Sequence, residues 1–312
     1  MQVCKKHLMN IKMIKSNRVS LLKRRIVPVI MLAAVSCMAG NVQAAKYDMQ
    51  GEEAGFYIGS ESIGSLDSGP GTKFSSSKNS LTLPLERRSR RSEAFSSYFH
   101  LDMTKFDWRG STAARKEYIW LSMPIHYQQQ RSENTLFLVD LEPGLMTDGG
   151  NVGMDHVGLN ASIVGRRLWR NGGFWQFGLT VDRSFGDYDV RPVIGMGWQA
   201  SKQTWVELGF PEVNVKHHLS NTLQSYLTIK PAGGVWKEEI KTATTKEDVN
   251  LQYRNWKLGI GADFHWRDAI WLNAEFGQLR NRRIFAYDAT ATAVKATPGQ
   301  NRYWRIGASF KY

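Results

Sequence analysis

From residue 94 onward, apolar and polar residues alternate with a period of two. In the clearest segment the apolar positions are Trp256, Leu258, Ile260, Ala262, Phe264 and Trp266, and small or polar residues stand between them. Successive side chains of a β-strand point to opposite faces of the sheet, so this spacing predicts strands with one apolar and one polar face. The same pattern is strong in 175–182, 270–277 and 304–312, and weaker in 116–127, 134–145, 154–169, 190–199 and 222–237. The chain is therefore predicted to be all-β.

Three features favour a membrane barrel over a soluble sandwich, whose strands also alternate. Several alternating segments are 10–17 residues long, near the roughly 9–11 residues that a tilted strand needs to cross a bilayer. Tryptophans flank three tight turns, as in the aromatic girdles of membrane barrels: Trp169 and Trp175, Trp198 and Trp205, Trp266 and Trp271. The last strand carries Phe310 and Tyr312, and such a terminal aromatic resembles the signal that barrel-assembly machinery reads. We predict a transmembrane antiparallel up-and-down β-barrel in the outer membrane of a Gram-negative bacterium.

Loop lengths predict about twelve strands. Short turns alternate with longer loops along residues 94–312, and bacterial barrels have an even number of strands. Twelve strands require that Pro211-Glu212 reverse the chain, whereas a proline bulge there would leave ten or eleven. Both ends of the barrel then lie in the periplasm, and closure is expected to pair 302–312 with roughly 94–106.

Residues 1–44 have the parts of a cleaved secretory signal peptide. A basic stretch with eight Lys and Arg and no Asp or Glu includes both Met1 and Met13, either of which would serve as the start. An apolar run over 26–39 follows, and cleavage is expected after Val42-Gln43-Ala44. The apolar run is shorter than the ~20 residues of a membrane-spanning anchor.

The signal peptide accounts for most of the basic charge. The formal net charge is +13, but residues 45–312 hold 33 Lys and Arg against 28 Asp and Glu, a charge of +5 that does not indicate nucleic-acid binding. Cys4 and Cys37 are the only cysteines, so the mature chain has neither a disulfide nor a cysteine-ligated metal. No cofactor or metal motif is found. Residues 45–93 are rich in Gly and Ser and are predicted to be a flexible polar segment before the barrel.

One short motif bears on catalysis. His218-Leu219-Ser220-Asn221 resembles the His-x-Ser-Asn element of outer-membrane phospholipases, in which the His and Ser are catalytic and lie on a strand. Here Ser220 and Asn221 fall at a predicted periplasmic turn, where Ser and Asn are ordinary residues. We therefore interpret the motif as a turn, and we predict that the protein is not an enzyme.

The better functional candidates are ionisable residues that the alternation places on the lumen face. They are Asp182, Glu207, Lys257, Asp263, His265, Glu275 and Arg305. In a channel such groups set the preference for ions or solutes. In a packed barrel they would pair with one another across the interior. The sequence leaves both alternatives open.

Two segments resemble a known family, Trp120-Leu121-Ser122-Met123-Pro124 and Glu142-Pro143-Gly144-Leu145-Met146-Thr147-Asp148. They are similar to an uncharacterised outer-membrane barrel family, domain of unknown function 6268, over roughly residues 95–312. The resemblance implies a barrel without an assigned activity, and it transfers no functional residues.

The leading hypothesis is a narrow pore or binding cavity for a small polar solute. The alternative is a non-conducting barrel that supports the envelope or a surface interaction through residues 281–301. A lipid-acting barrel enzyme is the third hypothesis. The predicted partners are outer-membrane lipids and lipopolysaccharide, with barrel-assembly machinery and periplasmic chaperones during biogenesis, and no nucleic acid.

Overall fold

The structure is a computed structural model, which describes residues 55–69, 72–109, 116–149, 153–169, 172–241, 246–287, 293–297 and 299–311. Within these ranges the chain forms β-strands and short 3₁₀ turns, among them Met154–His156 and Arg183–Phe185. None of the described residues forms a helix long and apolar enough to cross a bilayer. The all-β prediction is confirmed. The predicted signal peptide and Tyr312 lie outside the described residues.

Seventeen hydrogen-bonded segments make up fourteen antiparallel strands. The strands are β1 (Gly55–Gly69), β2 (Thr72–Ser89), β3 (Glu93–Arg109), β4 (Lys116–Ser122 and Ile125–Ser132), β5 (Thr135–Thr147), β6 (Val157–Leu168), β7 (Phe174–Val181), β8 (Arg191–Ser201), β9 (Thr204–Phe210), β10 (Val213–His218), β11 (Leu223–Pro231 and Gly234–Lys241), β12 (Lys246–Arg267), β13 (Ile270–Tyr287) and β14 (Ala293–Ala296 and Asn301–Lys311). Three strands are interrupted, but both segments of each pair with the same neighbour. Pro124 and Pro231 stand at two of the interruptions, where a missing N–H breaks the ladder.

The sheet closes on itself through β14 and β1. Gly55 pairs with Lys311 and Ile63 with Tyr303. The start of β1 and the end of β14 therefore lie at the same end of the barrel, here called the terminal end. The connections at the terminal end are short, with two to five residues between the strands: 90–92, 133–134, 169–173, 202–203, 219–222 and 268–269. The opposite end, here called the loop end, carries the longer connections 148–156 and 182–190.

The predicted strand count is wrong by two. Residues from 93 onward do form twelve strands, and the predicted reversal at Pro211 is confirmed by the antiparallel pairing of β9 with β10. The two additional strands, β1 and β2, lie in the segment predicted to be flexible. The predicted closing partner is therefore wrong too, because β1 and β2 stand between β14 and β3. The outer face of β1 carries Ser60 and Ser62, so the alternation there has little hydropathic contrast.

The apolar faces of the strands point outward. Large apolar side chains stay exposed around the wall, including Leu159, Phe177, Ile194, Leu227, Ile260, Phe276 and Ile306. Ile260 is 66% exposed, whereas Lys257 and Glu275 on the opposite faces are buried. This distribution is the reverse of that in a water-soluble domain, where charged residues are seldom buried. Of the tryptophans in the predicted girdle, Trp175 and Trp266 are exposed, whereas the ring of Trp205 packs on Phe174 inside the barrel.

Candidate functional site

A network of ion pairs and tyrosines lies along the inner wall of strands β11 to β1. The Arg305 Nη2 donates to Glu275 Oε2 at 2.6 Å, and the Tyr303 hydroxyl donates to Glu275 Oε1 at 2.6 Å. The Tyr226 hydroxyl donates to Glu275 Oε2 at 2.9 Å. Lys257 on β12 forms an ion pair with Glu61 on β1. Each buried charge in this group has a charged partner, as burial requires.

Glycines on the inner face make room for these long side chains. A Cβ at Gly259 would lie 2.3 Å from the Tyr303 hydroxyl oxygen, and one at Gly261 would lie 2.3 Å from the Tyr226 ring. The tyrosines therefore lie flat over neighbouring strands, and their hydroxyl groups reach Glu275. Two successive glycines between the charged residues Lys257 and Asp263 on one face of β12 are the sequence signal of this arrangement.

Two further polar groups continue the lining around the wall. Asp102 on β3 accepts from Ser80 Oγ at 2.6 Å and forms an ion pair with Lys78 Nζ at 2.6 Å. Arg166 on β6 and Glu207 on β9 approach to 3.5 Å between Nη2 and Oε1. These contacts, like the Lys257–Glu61 ion pair, join strands at most three positions apart in the ring. They therefore run along the wall rather than across the lumen.

The loop end of the interior is different, because opposite walls meet there. Its buried residues are Phe106, Tyr118, Trp120, Met146, Val235, Trp236, Leu251, Tyr253, Ile284 and Ala286, here called the aromatic plug. Strands β4 and β11 are seven positions apart in the ring of fourteen, yet the ring centroids of Tyr118 and Trp236 are 5.7 Å apart. Those of Phe106 and Trp236 are 5.4 Å apart. Since fourteen strands would otherwise enclose a lumen, the plug closes the barrel at this level.

The 182–190 loop places a cation in the plug. The Arg183 guanidinium lies 4.5 Å from the Trp120 ring centroid and 4.9 Å from that of Trp236, and its Nη2 donates to the Val235 carbonyl at 3.3 Å. Burial lowers the pKa of Arg183, and the nearby negative charge of Asp102 opposes this shift. Arginine has so high an ordinary pKa that the group keeps its charge.

The loop is held by its own contacts. Asp182 Oδ1 accepts from the Ser184 backbone N–H at 2.7 Å, which starts the 3₁₀ turn. Gly186 has φ +80°, and a Cβ there would meet the Tyr253 carbonyl oxygen at 3.0 Å, so this position favours glycine. The Ser184 carbonyl accepts from the Gly233 N–H on β11 at 2.6 Å. The loop is thus fixed to the far wall.

The two segments that carry the family resemblance form one unit beneath Arg183. Glu142 Oε1 accepts from Trp120 Nε1 at 2.9 Å and from Ser122 Oγ at 2.6 Å. A Cβ at Gly144 would lie 2.5 Å from the Trp120 ring. Asn160 Nδ2 donates to Glu142 Oε2 at 2.7 Å. The motif therefore fixes the indole that supports the Arg183 guanidinium.

The seven predicted lumen residues do not form one site. Glu275, Arg305 and Lys257 lie in the network of β11 to β1, whereas Glu207 lies on the far wall with Arg166. Near the terminal end, Asp263 Oδ1 accepts from Asn273 Nδ2 at 2.6 Å, and the His265 ring stacks on Trp271 with a centroid distance of 4.8 Å. Asp182 is a turn cap in the 182–190 loop.

Sequence reasoning missed Glu61, Lys78 and Asp102 because they lie on β1 and β2 or on a weakly patterned part of β3. It also missed the aromatic plug. Trp120 and Trp236 lie in the weakly alternating segments 116–127 and 222–237, and no local pattern indicates that two opposite strands touch.

The phospholipase-like motif lies at the terminal end. The Ser220 hydroxyl accepts from the Thr222 N–H at 3.2 Å, and the Leu219 N–H donates to the Leu223 carbonyl at 2.9 Å. These are the contacts of a turn between β10 and β11, and the turn interpretation is confirmed.

A closed antiparallel sheet with an exposed apolar belt and ion pairs inside is the architecture of a transmembrane β-barrel. No protein-family model and no curated protein sequence matches the chain. Several solved structures resemble it. The KdgM porin, in complex with disordered oligogalacturonate, is 8% identical over 82% of this chain and 99% of its own, with a TM-score of 0.38.

Two other solved structures resemble the chain to a comparable degree. An outer-membrane channel from Pseudomonas putida F1 is 10% identical over 86% of this chain and 99% of its own, with a TM-score of 0.47. The translocator domain of the autotransporter NalP from Neisseria meningitidis is 12% identical over 96% of this chain and 97% of its own, with a TM-score of 0.36. Similarity at this level says nothing about the activity of the chain.

Proposed function

We propose that this protein is an outer-membrane barrel whose polar interior forms a narrow pore or binding cavity for a small polar solute. The observation that carries the proposal is the division of the interior. Charged groups such as Glu275 and Arg305 line the wall, while the plug that closes the lumen is confined to the loop end. A barrel that served only as a scaffold would not need a charged lining beneath an apolar closure.

Orientation follows from the connections. Bacterial barrels keep their short turns in the periplasm and their longer loops outside, so the terminal end of this barrel faces the periplasm and the loop end faces outward. Export through the signal peptide and assembly by the barrel-assembly machinery are part of the same proposal. So is membership of domain of unknown function 6268, which the Trp120 and Glu142 unit supports.

The 182–190 loop acts as the gate in this proposal. Arg183 reaches between Trp120 and Trp236 from a loop that is tied to β11 by one backbone hydrogen bond at Ser184. Withdrawal of this loop would remove a cation from between two indole rings and would loosen the contact between β4 and β11.

Single-channel recording in planar bilayers tests the proposal. We expect small, infrequent conductance steps for the wild type and larger or more frequent steps for a Tyr118→Ala, Trp236→Ala variant, because its facing rings are removed. Arg131→Ala, which changes an exposed residue near the terminal end, is the control and should behave as the wild type. Silence from both the wild type and the plug variant would show instead a non-conducting barrel.

A further inference from the structure

Four arginines lie on the outer face of three adjacent strands at the loop end. They are Arg254 on β12, Arg280 and Arg283 on β13, and Arg302 on β14, here called the basic patch. Arg280, Arg283 and Arg302 are exposed, and Arg254 is half-buried. Arg254 and Arg283 are direct partners across the β12–β13 ladder, and Arg302 is opposite Gln278, two residues from Arg280.

The basic patch lies directly above the apolar belt. Trp304 is two residues below Arg302 on the same face of β14, and it pairs with Phe276, which pairs with Ile260. These three side chains are exposed by 48%, 57% and 66%. The change from large apolar residues to arginine along the same faces marks the level at which the wall leaves the hydrocarbon and meets headgroups.

No acidic side chain that the structure describes compensates this charge. None of the four arginines is within 4.0 Å of a described carboxylate, although ion pairs of this length occur elsewhere on the barrel. The Arg280 Nε and Nη2 donate to Gln278 Oε1 at 3.2 and 2.9 Å, which holds that guanidinium against the wall. Like charges directly opposite each other on an antiparallel pair are destabilising, so an anion bound between Arg254 and Arg283 would stabilise this pair of strands.

We propose that the basic patch binds the phosphate groups of a phosphorylated glycolipid, lipopolysaccharide, in the outer leaflet. Guanidinium groups bind phosphate oxygens in pairs of parallel hydrogen bonds, and several arginines on adjacent strands match a headgroup with more than one phosphate. The acyl chains of the same lipid would lie against Trp304, Phe276 and Ile260. The inference rests on the proposed orientation with the loop end outward, but not on conduction.

The test compares two charge-neutralising variants of the full-length folded barrel. One variant is Arg280→Gln, Arg283→Gln, Arg302→Gln in the basic patch. The matched control is Arg87→Gln, Arg90→Gln, Arg91→Gln, which removes three exposed charges at the terminal end. Binding of purified lipopolysaccharide to the detergent-solubilised barrel is measured by native mass spectrometry, and heat-modifiable gel migration checks that each variant is folded.

We expect the patch variant to bind lipopolysaccharide about tenfold more weakly than the wild type, and the control variant to bind it as the wild type does. Equal binding by the wild type and the patch variant would overturn the proposal. So would equal affinity of the wild type for lipopolysaccharide and for phosphatidylglycerol, because any anionic headgroup would then suffice.

A separate experiment tests the orientation of the barrel, so that a wrong orientation can be distinguished from a wrong binding site. The mature chain has no cysteine, and Met154 in the 148–156 loop is 87% exposed. A Met154→Cys variant should react with a membrane-impermeant maleimide on intact cells. If it reacts only after the outer membrane is broken, the loop end faces the periplasm and both the orientation and the glycolipid site are wrong.

Discussion

The two halves of the barrel interior are stabilised by different interactions, ion pairs in one and aromatic packing in the other. Toward the terminal end, polar side chains pair along the wall, as Glu275 does with Arg305. At the loop end, apolar rings from opposite walls pack against one another, as Tyr118 and Trp236 do. Ion pairs need specific partners at short range, whereas apolar packing needs only contact area. The first arrangement keeps the walls apart and the second brings them together.

The difference predicts how each half responds to a lost partner. In the charged half, removing one side of a buried pair leaves the other side without compensation. In the aromatic plug, removing one polar atom leaves the apolar contacts between the rings in place. Single substitutions in the charged half should therefore cost more than those that remove one polar atom from the plug.

The largest effect is expected at Glu275, whose side chain is only 1% exposed. Glu275→Ala leaves Arg305 without its ionic partner and should lower the free energy of unfolding by about 3–5 kcal/mol. A Glu275→Ala, Arg305→Met double variant should recover part of that loss, because no charge is then left unpaired. Urea unfolding in detergent micelles measures both.

An exposed ion pair provides the control for this experiment. Glu86 and Arg88 near the terminal end are 43% and 73% exposed, and pairs of that kind contribute about 0–1 kcal/mol. Glu86→Ala should thus have little effect. If Glu275→Ala is as mild as Glu86→Ala, the charged half is solvated and does not depend on its ion pairs.

The next effect in size concerns the outer face of the same strands. Ile260 lies on the belt outside the charged half, and Ile260→Arg should destabilise the folded barrel by about 2–4 kcal/mol because the cation enters hydrocarbon. Leu219→Arg, at an exposed position in the 219–222 turn, should be tolerated. The neighbouring inner-face position, Gly261, is not a suitable control for an arginine substitution, because Tyr226 occupies the space that the new side chain would need.

Unfolding in lipid vesicles, followed by tryptophan fluorescence, compares Ile260→Arg with Leu219→Arg. Equal tolerance of both would mean that the exposed apolar belt does not face lipid, and the transmembrane assignment would fail with it.

Much of the fold could be predicted from sequence because a barrel strand has a local signature. The side chains of β12 alternate so strongly that the exposed position of Ile260 and the buried position of Lys257 follow from the pattern alone. β1 gives no such signal, since Ser60 and Ser62 occupy outer positions. It is a strand because it pairs with β2 on one side and, on the other, with β14, which lies almost the whole chain away.

The candidate site was harder to predict because its contacts join distant residues. Glu61 and Lys257 are 196 positions apart in the sequence, and alternation says which face each occupies but not which charge is its partner. The aromatic plug is harder still to predict from sequence, because it forms only where β4 and β11, on opposite walls, come into contact. The segments that contain Trp120 and Glu142 carry the family resemblance in the sequence. Only the structure shows that they position the indole beneath Arg183.

The smallest predicted effect separates hydrogen bonding from packing within the plug. Trp120 Nε1 donates to Glu142 Oε1 at 2.9 Å, whereas the buried Nε1 of Trp236 has no acceptor among the described residues. Trp120→Phe should cost about 2 kcal/mol for the lost bond to a charged acceptor, in addition to the smaller ring. Trp236→Phe loses a similar ring area but also removes an unsatisfied donor, so it should be nearly neutral. Equal costs in chemical unfolding would show that ring packing alone holds the plug, and that Glu142 contributes nothing to the position of the Trp120 indole.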